Sequence, residues 1–236
     1  MKRKGTVAAV ILAAGLGTRF GAEHPKQLAL IDGTPAVVRS LDAFDRSPLI
    51  GEIVLVVTPG LIASYGTLLS SYEFEKLKCV IDGGDTRMAS AIRGMEAISD
   101  EMKYIAVHDA ARCLVTGEMI KDVCEAAFDY GAAIAASPAR DTLKSADKKK
   151  NIVSTVPREN TWYAATPQVF EANLYRAAAY VAKRDGISVT DDASMVEHIG
   201  RSVRLVDCGS TNIKITYPED AAVAEAILRY RKEKST

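Results

Sequence analysis

The chain alternates between short apolar runs and longer stretches in which apolar residues recur at helical spacing. Continuous apolar runs of this length are typical of buried strands, and a period near 3.6 is typical of amphipathic helices. The runs predict strands at residues 7–14, 53–58, 78–81, 104–107, 132–136 and 203–206. The periodic stretches predict helices at residues 36–44, 89–98, 118–130 and 174–183. Thr34 is the predicted N-cap of the first helix, Pro35 its first residue, and residues 216–219 a capping box for a last helix.

Strands that alternate with helices favour parallel pairing through right-handed crossovers. We therefore predict one α/β domain over residues 1–236, with a doubly wound, Rossmann-like and mostly parallel sheet. Residues 140–168 interrupt the alternation, because they are polar and lack a helical period. We expect a protruding β-arm there, turning at the lysine run 148–150, with Trp162 packed against a partner subunit or in the core. Ligands of such sheets bind at the carboxyl ends of the strands.

The charge balance and the cysteines narrow the class of protein. Thirty basic and thirty acidic residues give no net charge, whereas proteins that bind nucleic acid or anionic membranes usually carry a basic excess. No apolar run approaches the ~20 residues of a membrane span. The four cysteines are scattered and the three histidines lie far apart, which indicates reduced thiols in the cytoplasm and argues against zinc.

The first apolar run ends in a loop with the features of an anion site. It reads AAGLGTRFG at residues 13–21, and PKQ follows at residues 25–27. Glycines let backbone N–H groups approach a phosphate, and Arg19 and Lys26 add two cations. The spacing fits neither the dinucleotide pattern, since Phe20 replaces its third glycine, nor the Walker pattern. The alternative is a tight turn with two surface cations, which the position after a buried strand disfavours.

Seven motifs in order resemble one family. After the glycine loop come IDGGDTRMAS (81–90), VHDAAR (107–112), RDTLK (140–144), PRENTWYAATPQVF (157–170), TDDASMVE (190–197) and NIKITYPED (212–220). Their order and spacing are similar to those of the 2-C-methyl-D-erythritol 4-phosphate cytidylyltransferases, within the sugar-phosphate and polyol-phosphate nucleotidyltransferases. The resemblance covers nearly the whole chain. It implies the nucleotide-diphospho-sugar transferase type of fold, and transfer of CMP from CTP to methylerythritol phosphate with release of pyrophosphate and Mg²⁺ as cofactor.

The resemblance also implies roles for individual residues. Arg19 and Lys26 would stabilise the transition state, and Arg158 and Lys214 would orient the attacking phosphate. The nucleotide would be bound by Ala13, Ala14, Gly15, Gly84, Asp85, Ser90 and Ala110. The methylerythritol phosphate would be bound by Asp109, Arg112, Thr142, Arg158, Thr166, Thr190 and Lys214. No metal ligand is assigned.

Some of these residues also have a simpler, purely structural interpretation. Asp109 and Arg112 follow a strand, where site residues are expected, but they could form a local salt bridge. Thr190 could cap a helix ahead of Asp191. His108 is expected to be structural, because a phosphate monoester with a second pKa near ~6 needs no general base.

The arm implies a homodimer. In this family it reaches over a neighbour, so Arg158 would complete the other subunit's site. Cys113 and Ala165 depart from the family's usual proline and glutamine, which puts local loop geometry in doubt. Three alternatives remain: a ribitol-5-phosphate cytidylyltransferase, disfavoured by Ala14, HDAAR and TDDASMVE; an NAD-dependent dehydrogenase; and a nucleotide-binding regulatory module.

Overall fold

A computed structural model describes residues 5–15, 20 and 25–234. The strands are β1 Val7–Ala13, β2 Leu30–Ile31, β3 Thr34–Pro35, β4 Ile50–Val57, β5 Leu77–Asp82, β6 Tyr104–Asp109, β7 Ala132–Pro138, β8 Lys144–Ala146, β9 Ile152–Thr155, β10 Trp162–Glu171 and β11 Arg204–Asp207. The helices are α1 Ala36–Asp45, α2 Ile62–Leu69, α3 Arg87–Glu96, α4 Gly117–Tyr130, α5 Ala172–Asp185, α6 Ala193–His198 and α7 Asp220–Lys234.

The main sheet has seven strands in the order β11-β7-β10-β6-β1-β4-β5. The β1 strand pairs in parallel with β4 and β6, and β5 extends the parallel block from β4. Among the described strands of this sheet, only β10 runs antiparallel to its neighbours, β6 and β7. The predicted α/β class with a mostly parallel sheet is therefore confirmed. The carboxyl ends of β1, β4, β5 and β6 lie along one edge, where a ligand of this fold is expected.

Helices cover both faces of the sheet, and β1 supplies side chains to each. Ala9 and Ile11 pack toward α1, α2 and α4, whereas Val10 and Leu12 pack toward α3, α5 and α6. Strand residues point alternately to opposite faces, so a strand buried on both faces must be apolar at every position. This is why residues 7–13 form an uninterrupted apolar run with every position buried.

Two helix starts differ from the prediction. Pro35 lies at the N-cap position of α1 without a side-chain capping bond, and Thr34 belongs to β3, so neither has its predicted place. The last helix begins at Asp220. The Asp220 carboxylate accepts hydrogen bonds from the N–H groups of Thr216 and Tyr217, at 2.7 and 2.8 Å. An aspartate that reaches back thus replaces the capping box expected at residues 216–219.

The segment at 140–168 divides into two parts. The hairpin β8–β9 forms a two-stranded sheet of its own and turns through the lysine run, as expected for an arm. Residues 162–168, expected within the arm, instead lie in β10 of the main sheet. Trp162 pairs with Pro138 of β7 and is half-buried. Alternation of apolar and polar residues is weak in β10, which explains why the sequence did not indicate this strand.

The described part of the chain holds four free cysteines. Within the same residues, no helix combines the length and apolar character that a membrane crossing requires.

Candidate active site

A cavity of about 320 Å³ opens at the carboxyl ends of β1, β5 and β6. Its volume lies at the lower end of the range typical of small-molecule sites. Eight of the residues predicted from the sequence line it: Ala14, Gly15, Lys26, Gly84, Asp85, Ser90, Asp109 and Lys214. Gln27, Thr86 and Arg87 also contribute to the wall. The cavity therefore brings together four of the motifs, of which the one that contains Lys214 lies more than a hundred residues along the chain from the other three.

The two ends of the glycine loop meet at one wall of this cavity. Gln27 is 2% exposed, and its Nε2 donates a hydrogen bond of 3.0 Å to the carbonyl of Gly15. Lys26 begins a single 3₁₀ turn, so its neighbour Gln27 fixes the backbone that carries the Lys26 ammonium group. Arg19, the second predicted cation, lies outside the described residues.

With CTP as the substrate that the family resemblance implies, we expect Gln27→Glu to raise the KM for CTP about tenfold, because the loss of one buried hydrogen bond costs roughly 1–3 kcal/mol. Glutamate has the same shape but cannot donate to the Gly15 carbonyl, so the two ends of the loop separate. Initial rates at varied CTP and fixed acceptor measure the effect. A KM for CTP equal to that of the unsubstituted chain, in a variant of unchanged melting temperature, contradicts this role.

The turn after β5 forms the second wall. A Cβ atom on Gly83 would lie 2.5 Å from the Cβ of Ala14, and one on Gly84 would lie 2.5 Å from the Cβ of Ala89. Only glycine permits this close approach. The buried Ser90 hydroxyl accepts from the N–H of Gly84 at 3.1 Å and donates to the carbonyl of Thr86 at 2.9 Å. These contacts fix the conformation of the turn at the cavity.

Asp109 and Lys214 form the third wall, together with Arg87. Arg87 Nε donates to Asp109 Oδ1 at 3.1 Å, and Lys214 Nζ donates to Asp109 Oδ2 at 2.6 Å. Burial opposes ionisation of the Asp109 carboxyl, but Arg87 and Lys214 outweigh it and hold its pKa well below its usual range. Asp109 is therefore a carboxylate with a cation on each oxygen, and these cations are Arg87 and Lys214, not the Arg112 of the simpler interpretation.

Thr166 lies behind Asp109. Its Oγ1 accepts the Asp109 N–H at 3.0 Å and lies 3.0 Å from His108 Nδ1. Burial lowers the pKa of His108 to about 3, so the imidazole is neutral at physiological pH. The ring also contacts Phe44, with centroids 4.9 Å apart. This environment supports the expectation that His108 is structural.

Two predicted residues lie beside the cavity without lining it. Ala13 and Ala110 are fully buried, and Ala110 accepts a hydrogen bond from Ser40 at 2.9 Å. Arg112 lies in a separate cavity of about 210 Å³, where its guanidinium donates to the carbonyls of Asn212 and Ala164 at 2.9 and 3.3 Å. Its predicted contact with the acceptor stays a prediction.

Three further predicted residues are exposed and do not line the central cavity. Thr142 precedes the hairpin β8–β9, and Arg158 begins a 3₁₀ turn after it. Arg158 Nη1 donates to the carbonyl of Arg140 at 3.0 Å. Thr190 does not cap α6: the Asp191 carboxylate accepts the Ser194 N–H at 3.1 Å instead. Within one chain, therefore, none of the described residues of the predicted arm at 140–168 lines the central cavity.

Sequence reasoning did not assign five residues of the cavity wall, and two of them, Gln27 and Arg87, place polar side chains in hydrogen bonds there. Both occur inside quoted motifs, PKQ and IDGGDTRMAS. A signal for Arg87 was available, because an arginine directly after a glycine turn and a threonine N-cap must lie at the helix N-terminus that faces the cavity. Gln27 carried no such signal, since its role depends on the fold of the loop.

Comparisons with known proteins agree with this geometry. The model of the 2-C-methyl-D-erythritol 4-phosphate cytidylyltransferase (IspD) family matches residues 7–230. The 2-C-methyl-D-erythritol 4-phosphate cytidylyltransferase of Geobacillus kaustophilus is 39% identical over 223 residues, which are 94% of this chain and 97% of that protein. The bifunctional IspD/IspF enzyme of Desulfotalea psychrophila is 39% identical over 96% of this chain, and the matched part spans 58% of that relative.

The solved structures give the same result. The crystal structure of 4-diphosphocytidyl-2C-methyl-D-erythritol synthase from Anaerococcus prevotii superposes with a TM-score of 0.82 at 27% identity, covering 94% of this chain and 96% of that one. A family model that matches nearly the whole chain, together with a full-length relative at this identity, settles the family. The chain therefore belongs to the 2-C-methyl-D-erythritol 4-phosphate cytidylyltransferases, a family of nucleotidyltransferase enzymes.

Proposed function

We propose that the chain transfers CMP from CTP to 2-C-methyl-D-erythritol 4-phosphate and releases pyrophosphate. The observation that carries this proposal is the single cavity shared by the end of the glycine loop, the turn at Gly84 and the pair Asp109–Lys214. These groups offer a phosphate site, a small base site and a polyol-phosphate site within reach of one another. The family assignment disfavours the dehydrogenase.

The proposed reaction is an in-line displacement at phosphorus. A phosphate oxygen of the acceptor attacks the α-phosphorus of CTP, and the bond from that phosphorus to the oxygen bridging to the β-phosphate breaks. The second pKa of a phosphate monoester is near ~6, so the acceptor is largely a dianion at neutral pH and needs no general base. The neutral, buried His108 is consistent with this. Catalysis then depends on positioning and on compensation of negative charge.

Each wall of the cavity has a proposed role. The backbone at residues 13–15 and the turn at Gly84–Asp85, with Ser90, hold cytidine. Lys26 and Arg19 stabilise the charge that develops on the α-phosphate and pyrophosphate. Asp109 accepts hydrogen bonds from polyol hydroxyls, and Lys214 orients the attacking phosphate.

The described residues fit a magnesium ion that arrives with the nucleotide. They include no group of three or more His, Cys, Asp or Glu side chains placed to hold a metal. Of the two carboxylates at the cavity, Asp109 is already paired with Arg87 and Lys214, so Asp85 is the one that could approach a metal. Magnesium commonly keeps several waters and is bound mainly by substrate phosphates. We propose that Mg²⁺ supplies further charge compensation on the triphosphate.

A homodimer is part of the proposal. All residues of β8 and β9 are exposed, including Ile152 and Val153 at 66% and 67%. A two-stranded hairpin is marginally stable in water by itself, so this apolar surface is expected to be covered. We propose that a second copy covers it and that Arg158 and Thr142 thereby reach the partner's cavity. We also propose that the protein is located in the cytoplasm.

Pyrophosphate release with CTP, ATP, GTP or UTP, each with and without methylerythritol phosphate, tests the function. We expect release only with CTP and the acceptor together. Ribitol 5-phosphate is the matched alternative acceptor, and faster turnover with it would replace our substrate. Binding of CTP without turnover of either acceptor would favour a regulatory module.

A further inference from the structure

Arg87 connects the nucleotide wall of the cavity to the acceptor wall. It is the first residue of α3, directly after the Thr86 N-cap and the turn at Gly84. Its Nε donates to Asp109 Oδ1 at 3.1 Å, and its Nη1 donates to Asp192 Oδ2 at 2.7 Å. The side chain is 28% exposed and lines the cavity, although the proposed reaction gives it no role.

Asp192 gives Arg87 a fixed attachment. Its side chain is 0% exposed, and its Oδ1 accepts the Tyr175 hydroxyl at 2.6 Å. Its backbone N–H donates to Gln168 Oε1 at 3.0 Å, and Gln168 belongs to β10, next to β6. Two elements outside the cavity wall therefore position Asp192: α5 bonds to its carboxylate, and β10 bonds to its backbone.

Asp109 is the group that Arg87 reaches on the cavity side. Lys214 occupies Oδ2 of Asp109, and Arg87 occupies Oδ1. Because each oxygen has its own cation, the carboxylate plane is fixed and Lys214 pairs with one oxygen only. The Lys214 side chain keeps 37% exposure, so its ammonium is accessible from the cavity. Without Arg87, both oxygens would be available to Lys214, which would draw the ammonium toward Asp109.

We propose that Arg87 is a positioning residue for the acceptor: it holds the Asp109 carboxylate so that Lys214 stays available to the attacking phosphate. This inference rests on the proposed function of the cavity. A guanidinium suits the task because its planar fork can donate to two carboxylates in fixed directions, which an ammonium group cannot do.

Two kinds of variant separate positioning from simple charge balance. Arg87→Met leaves Asp192 buried without its cation, so a loss of stability is expected with it. The double variant Arg87→Met with Asp192→Asn removes one positive and one negative charge and keeps an acceptor for Tyr175. Arg87→Lys keeps a cation beside Asp192 and loses the fork. Arg176→Met is the matched control, since Arg176 is 31% exposed and lies on the outer helix α5.

We expect the double variant and Arg87→Lys to melt near the temperature of the unsubstituted chain. Both should raise the KM for methylerythritol phosphate about tenfold or more, since a lost charge-assisted hydrogen bond costs roughly 1.5–3 kcal/mol, and should leave the KM for CTP within about threefold. Arg176→Met should change neither constant.

Two other outcomes of these kinetic measurements would overturn the inference. If the double variant or Arg87→Lys has the acceptor KM of the unsubstituted chain, Arg87 only neutralises Asp192. If the KM for CTP rises in place of the acceptor's, Arg87 is a nucleotide ligand. Failure of the proposed function is distinct, because the unsubstituted chain itself would then release no pyrophosphate from CTP and methylerythritol phosphate.

Discussion

Replacement of Lys26 by alanine is expected to lower kcat by about 10³-fold, in line with the removal of one preorganised group that stabilises developing charge. Lys26 lines the cavity beside Gly15, at the end of the glycine loop. In the proposed displacement, negative charge grows on the α-phosphate and on the departing pyrophosphate. An ammonium group positioned by the protein compensates this charge better than bulk water does, because the effective dielectric constant of a protein site is lower. The loss should therefore fall on kcat more than on either KM.

The fold should survive this substitution. The 3₁₀ turn that carries Lys26 is held by backbone bonds, such as Leu28 N–H to the Pro25 carbonyl at 2.8 Å, and by the Gln27 side chain. Circular dichroism and melting temperature check this. Lys183→Ala, which removes an exposed lysine in the last turn of α5, is the matched control and should keep normal rates.

The outcome against this role is a Lys26→Ala enzyme that turns over within about threefold of the unsubstituted chain, a difference of less than 1 kcal/mol in barrier height. Lys26→Arg keeps a cation but changes its geometry, so its kcat should lie between those of Lys26→Ala and the unsubstituted chain. Arg19→Ala should show a loss comparable to that of Lys26→Ala, a prediction that rests on the sequence motif alone.

The hydrophobic pattern was sufficient to predict the parallel half of the fold. A parallel strand buried on both faces must be a continuous apolar run, and β1, β4 and β6 all show one. Strand β10 escaped prediction because its middle carries the polar residues Thr166 and Gln168, which accept hydrogen bonds from the N–H groups of Asp109 and Asp192. The polar residues that obscure this strand in the sequence are the ones that bond to Asp109 and Asp192.

The site could be predicted as far as residues belong to compact motifs. Gly84 and Ser90 lie six residues apart and are joined by a hydrogen bond of 3.1 Å, so one local pattern contains both. The network of Arg87 crosses 105 residues to Asp192, and that of Asp109 crosses 105 residues to Lys214. No local pattern specifies such pairs, because the sheet brings them together. Arg112 is a local neighbour of Asp109, and its N–H donates to the Asp109 carbonyl at 2.9 Å, but its guanidinium donates to the distant carbonyls of Asn212 and Ala164.

Arg158→Ala is expected to inactivate the proposed homodimer nearly as strongly as Lys26→Ala, although Arg158 does not line the cavity of its own chain. Its guanidinium lies beside Arg140 at the base of the hairpin β8–β9, and the whole turn is exposed. If the arm reaches the partner's cavity, Arg158 supplies a cation for the attacking phosphate there. An arginine that orients or compensates phosphate charge from a second chain is worth roughly 10³-fold or more in kcat.

Mixed dimers distinguish action on the partner from action within one chain. A dimer of one Arg158→Ala chain and one Lys26→Ala chain has one intact cavity if Arg158 acts across the interface: the first chain keeps Lys26 and receives Arg158 from the second. One site of two is then functional, so the purified mixed dimer should have about half of normal activity; in a randomly assembled mixture, where about half of the dimers are mixed, about a quarter should return. Coexpression with two different tags, followed by tandem purification and mass determination, supplies the mixed dimer.

If Arg158 serves its own chain, neither cavity of the mixed dimer is complete and no activity returns. Recovery in the mixed dimer therefore requires both the dimer and the crossing of the arm. A purified mixed dimer without activity would refute the crossing, and a chain that stays monomeric at assay concentration would refute the dimer. The exposed pair Ile152 and Val153 provides the companion test, because Val153→Asp places a charge on the surface that the second copy is proposed to cover. This variant should dissociate the dimer and lose activity together, while Lys26 and Asp109 stay untouched.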